Sequence, residues 1–209
     1  MFLEFENQLK IINAKYYNKI ISTYGHFIKR LASKGNLATD IIPLSLDDCI
    51  GIYLDMADKR GRCDTNGKIC IRVDKFNEHV LVHEFIHRLS NNRKYLGGIQ
   101  FGTIQGFNAN YKKYLFPHGY CDLTGFNELI TEYLTMEITN YKEHSMYQLC
   151  SDLVIEAKNR LGNDRFDELI RCYFQSDLRS VWPILYDLYG INFLKTMNRI
   201  TEVVCRTLS

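Results

Sequence analysis

The sequence predicts an α+β fold, mostly α, in which a small sheet of short strands packs on one amphipathic helix and a helical C-terminal half follows. Three observations predict it. Apolar residues recur at helical spacing over 3–33, over about 76–91 and again from Thr124 onward. Two short runs, 49–54 and 68–73, read as strands. Only three prolines occur, with no repeat and no linker-like tract, so the 209 residues form one unit able to bury a core without disulfide or metal staples.

In residues 1–75, Leu9, Ile12, Tyr16 and Ile20 mark one or two N-terminal helices. The two strands follow, separated by a polar stretch with Asn66-Gly67 as its turn signal. Residues 76–91 form the next helix, whose stripe Val82, Phe85, Ile86 and Leu89 faces the core. Residues 92–123, rich in Gly, Asn and Tyr, read as a long irregular segment, and loops that long inside a domain usually carry function. Residues 124–209 read as a helical lobe. In it, Thr124 is an N-cap, Ser145 and Gln148 form a capping box, Gly162 and Gly190 stand at helix C-caps, and Pro183 falls in a first turn after Ser180.

Composition narrows the function classes. The apolar fraction is 46%, the charged fraction 24% and the formal net charge +2, with both signs interspersed. That gives no basic stripe for nucleic acid. No apolar run approaches the ~20 residues a membrane span needs. The start, Met1-Phe2-Leu3-Glu4-Phe5-Glu6, has neither the basic region nor the apolar region of a signal peptide. A cytoplasmic location is therefore expected, with signal-less secretion left open. The seven cysteines are irregularly spaced, with no Cys-x-x-Cys pair, and read as free thiols of a reducing compartment.

Within the second helix, His83-Glu84-x-x-His87 places two imidazoles one turn apart on one face, beside the apolar stripe. Two such groups can each reach one ion at ~2.0–2.1 Å, but a catalytic zinc needs a third protein ligand and an open position. Glu128 is the candidate. It recurs with Glu132 at the same spacing, off the stripe of Phe126, Leu129, Ile130 and Tyr133. Its place near a helix N-terminus favours the ionised carboxylate that a ligand must be. Glu132, one turn on, suits the carboxylate that accepts the other ring N–H of a ligating histidine. His79, four residues before His83, reads as a bystander.

His83-Glu84-x-x-His87 followed by Asn127-Glu128-x-x-Thr131-Glu132 resembles the gluzincin zinc metalloproteases, of the thermolysin-like and anthrax lethal factor-like kinds. The resemblance covers about 67–137. It implies a zincin-like fold with one zinc on His83, His87 and Glu128, Glu84 as general base and Glu132 behind a ligand. It also implies a sheet edge that holds an extended peptide. The chain departs from thermolysin in its longer gap between motifs, its shorter length and the lack of a counterpart to a later histidine; His144 follows Glu128 by only 16 residues. Tyr120 and His118 both precede Glu128 and are the candidate oxyanion donors, Tyr120 being favoured by the lethal factor-like pattern.

The expected reaction is hydrolysis of a peptide bond in a peptide or protein substrate by a zinc-activated water. The alternatives are a catalytically inactive zincin-fold binding or regulatory protein, and an effector protease directed at one host protein. Oligomeric state stays open.

Overall fold

The computed structural model describes residues 2–33, 53–55, 60–63, 69–96, 99–105, 108–109, 123–141 and 148–208. A single long helix, α1 (Phe2–Ala32), covers the N-terminal periodic region. Its Ile20, Tyr24, Phe27 and Leu31 recur at intervals of three and four and are buried. A three-stranded sheet follows, made of β1 (Tyr53–Asp55), β2 (Gly61–Cys63) and β3 (Ile69–Arg72). Its order is β1-β3-β2, with β1 parallel and β2 antiparallel to the central β3. Ile69, Cys70 and Ile71 are all buried, as a central strand covered on both faces requires. Asn66-Gly67 lies outside the described residues.

Helix α2 (Glu78–Leu89) starts at Asn77, whose side chain accepts from the Val80 N–H at 2.9 Å. That satisfies one of the free donors of a helix start. The predicted stripe packs inward: Val82, Phe85 and Ile86 are fully buried. Phe85 stacks on Phe27 of α1 at 5.6 Å and meets the edge of Tyr24 at 5.4 Å.

Residues 92–123 are not irregular throughout. β4 (Asn91–Leu96), β5 (Ile99–Gln105) and β6 (Asn108–Ala109) form an antiparallel meander with a register shift at Lys94/Tyr95. Among the described residues there are thus two small sheets where the sequence predicted one. Their pairing is made between backbones, and the Gly- and Asn-rich sequence shows little of the alternation that reveals a strand.

Helix α3 (Thr124–Thr139) crosses α2 and has Leu123, not Thr124, at its N-cap. The capping hydroxyl comes from elsewhere: Thr201 Oγ1 accepts from the Gly125 N–H at 3.0 Å. A Cβ on Gly125 would stand 2.4 Å from Thr201 Cα, so only glycine permits this close crossing.

A π-turn at Cys150–Ile155 leads into α4 (Glu156–Gln175), which breaks at Gly162. Then come α5 (Leu178–Tyr189), a 3-10 turn at Gly190–Asn192 and α6 (Phe193–Leu208). Gly162 and Gly190 do take the positive φ expected at helix ends. Pro183 lies deeper in its helix than predicted, because Asp177 rather than Ser180 is the N-cap, accepting from Arg179 N and Ser180 N at 3.1 Å. Ser145 lies outside the described residues.

One apolar core joins α1, α2, β3 and α3 to α4, α5 and α6. Cys70, Cys150 and Cys172 are buried free thiols, as predicted, while Cys205 is exposed. Among the described residues no helix is long and apolar enough to cross a membrane.

Candidate metal centre

The four-residue spacing places His79, His83 and His87 in a row on α2, and Glu128 and Glu132 in a row on α3. The crossing of the two helices lays one row against the other. Three ligand-type atoms converge. His83 Nε2 and His87 Nε2 are 3.1 Å apart, and Glu128 Oε2 lies 3.5 Å from the first and 3.3 Å from the second. A tetrahedral ion with ligand bonds of ~2.0–2.1 Å sets its ligand atoms ~3.3–3.4 Å apart. The triangle therefore fits such an ion without moving either helix. Among the described residues, His83, His87 and Glu128 are the group of such side chains able to hold a metal ion.

The surroundings complete the geometry. Glu132 is buried, and its Oε2 lies 3.1 Å from His83 Nδ1. That bond needs the N–H on Nδ1, which leaves Nε2 as the lone pair aimed at the ion position. The other oxygen of Glu132, Oε1, lies 2.9 Å from His79 Nε2. His79, expected to be a bystander, thus belongs to the same polar chain. His87 is 6% exposed and Glu132 4%, whereas the His83 and Glu128 side chains keep 20% and 23% of their surface. The site is closed at its base and open on one side.

Glu84 stands next to His83 on α2. It is buried against β2, where a Cβ on Gly61 would come within 2.7 Å of Glu84 Oε1 and 3.0 Å of Val80 Cγ1. Glycine at position 61 lets the strand backbone approach the carboxylate directly. The charge of Glu84 still acts on His83.

The electrostatics favour a cation. Burial resists the charge on Glu128, but His87 and His83 beside it hold its carboxyl well below the usual range. Burial likewise resists the charge on Glu132, and the hydrogen bonds from His79 and His83 outweigh it, bringing its pKa to about 2. Burial disfavours a charged His83, yet Glu128, Glu132 and Glu84 together raise its pKa well above 6.5. Both Glu128 and Glu132 are thus ionised at neutral pH.

A second polar cluster braces the helices from behind. Thr131 Oγ1 donates to the Asn127 carbonyl at 2.9 Å and lies 2.6 Å from the Tyr173 hydroxyl. Ser90, just past His87, bonds the His87 carbonyl at 3.0 Å and the same hydroxyl at 3.4 Å. Burial pushes the Tyr173 phenol well above its ordinary value, so it stays neutral.

Known protein families, curated proteins and solved structures yield no match to this chain. The site is therefore judged on its own geometry. That geometry brings together His83, His87, Glu128 and Glu132, with Glu84 buried beside them against β2. Tyr120 and His118 lie outside the described residues. Sequence reasoning missed His79, Gly61 and Tyr173. The i, i+4, i+8 row of histidines was the available signal for the first, but Gly61 and Tyr173 gave none.

Proposed function

We propose that the chain is a zinc-dependent metallopeptidase of the gluzincin kind, with a zincin-like fold, which hydrolyses peptide bonds in a peptide or protein substrate. The observation that carries this reading is the triangle of His83 Nε2, His87 Nε2 and Glu128 Oε2, with edges of 3.1, 3.3 and 3.5 Å. Two imidazoles and one carboxylate with an open side are a donor set that suits catalytic zinc. When bound, zinc supplies a Lewis acid and lowers the pKa of a water toward ~7.

The protein's own residues supply the rest. Glu132 fixes the tautomer and ring orientation of His83. The Glu84 carboxylate takes the proton of the attacking water and delivers it to the leaving amine. Tyr120 or His118, shortly before α3 in the chain, donates to the oxyanion. Among the described residues β2 pairs with β3 on one side only and stands beside Glu84, so its other edge suits an extended peptide added as a further strand.

The test is hydrolysis of a mixed peptide library with and without zinc. Wild type is expected to cleave, and Glu84→Gln to keep the metal while losing about 10²–10⁴-fold in rate, the usual worth of a general base. Full activity in Glu84→Gln refutes the mechanism. Zinc binding without any cleavage by wild type points instead to a binding or regulatory protein on the same scaffold.

A further inference from the structure

We infer that His79 is a positioning residue for the metal site, acting on His83 through Glu132. This inference rests on the reading of His83, His87 and Glu128 as metal ligands. The two oxygens of Glu132 divide their work: Oε2 meets His83 Nδ1 at 3.1 Å and Oε1 meets His79 Nε2 at 2.9 Å. The terminal torsion of a glutamate is broad and soft, so a carboxylate held at one oxygen can still turn. Held at both, it cannot turn without breaking a bond in the interior.

The tautomer of His79 follows from its surroundings. Its ring is buried and meets the Tyr141 ring edge to face at 5.0 Å, and among the described residues its Nδ1 has no hydrogen-bond partner. A neutral imidazole has one N–H and one bare nitrogen, and a buried N–H without an acceptor is the costlier orphan. The proton therefore sits on Nε2, which donates to Glu132 Oε1. Even so, a bare buried nitrogen costs stability that an apolar side chain at this position would not. An imidazole here serves Glu132 rather than the core.

The consequence reaches the metal. A Glu132 carboxylate held in place at both oxygens keeps the His83 ring oriented, with Nε2 aimed at the ligand triangle. Without His79, one oxygen of a buried carboxylate loses its partner. The group is then free to turn, which loosens its hold on His83.

The experiment is zinc affinity by chelator competition, with metal-free thermal unfolding recorded for each protein. His79→Phe keeps a ring and removes the donor. It should weaken zinc binding about tenfold or more, within the ~10–100-fold typical of such supporting groups. His79→Gln, which carries an N–H at nearly the Nε2 position, should stay close to wild type. His79→Asn is too short to reach Glu132 and should behave like His79→Phe, so the Gln and Asn pair decides the matter if His79→Phe does not fold. In a Glu132→Gln background, His79→Phe should have little further effect. Wild-type affinity in His79→Phe overturns the inference alone, as does an equal loss in the Glu132→Gln background. No zinc binding by wild type overturns the metal reading, and this inference with it.

Discussion

Along α3, one face sets Phe126, Leu129, Ile130 and Tyr133 into the apolar core, while the adjoining face lays Glu128 and Glu132 against the histidines of α2. Both faces are mostly withdrawn from water, but the energetics differ. The apolar face gains roughly 1.5–3 kcal/mol for each large side chain buried. The acidic face desolvates two carboxylates, a cost that the histidines beside them offset, so this face adds far less net stability than its contacts suggest. Stability thus comes chiefly from the first face, and the second is retained for what it can hold. Each face can be damaged separately.

The largest expected effect is on the apolar face. Phe126 is fully buried, and Phe126→Ala should cost about 3–5 kcal/mol of stability, read in urea unfolding. Glu132→Gln, nearly isosteric, should cost less in the metal-free protein while weakening zinc. If Glu132→Gln proved the more destabilising of the two, the division between the faces would be wrong.

Next comes Gly61. Gly61→Ala places a methyl against Glu84 Oε1 and Val80. Under the proposed mechanism, displacing Glu84 is expected to lower kcat about tenfold or more, since shifts near 1 Å can cost ~10²-fold. Zinc affinity should hardly change, because the added methyl meets Glu84 and Val80 first and not the candidate ligands. A loss of zinc affinity equal to the loss of rate would mean that β2 supports the whole site rather than Glu84.

The smallest effect is in pH. Glu132 has its carboxyl lowered from 4.5 to about 2, so its stabilisation is present above 4.5 and is lost as pH falls toward 2. His83 is raised above 6.5, so its stabilisation is present below 6.5 and is lost as pH rises through the raised value. For the metal-free protein, Tm should drop by a few degrees as pH rises from 6.5 through the raised value. Saturating zinc should remove the drop, because the ion takes the role of the proton. A flat Tm over that range without metal would show that His83 carries no such proton.

How much was legible follows from how local each signal is. His83, Glu84 and His87 could be read because metal chemistry fixes residue types at one-turn spacing, and the same holds for Glu128 and Glu132. The α+β class and the core stripes were legible for the same periodic reason. The role of His79 was not, because its partner Glu132 is 53 residues away and one helix position says nothing of what faces it. The cap of α3 was misread for the same reason, since its hydroxyl belongs to Thr201, 76 residues from Gly125. The second sheet had a faint signal in Gly97-Gly98, the two residues between the strand ending at Leu96 and the one starting at Ile99. The flanking runs lacked the alternation to support it.

The most direct test of the central claim is zinc content after exhaustive dialysis, compared between wild type and Glu128→Ala by elemental analysis. The geometry predicts about one zinc per wild-type chain and little or none in the variant, whose two remaining ligands cannot complete the site. A wild type without zinc, or equal zinc in both proteins, would contradict it.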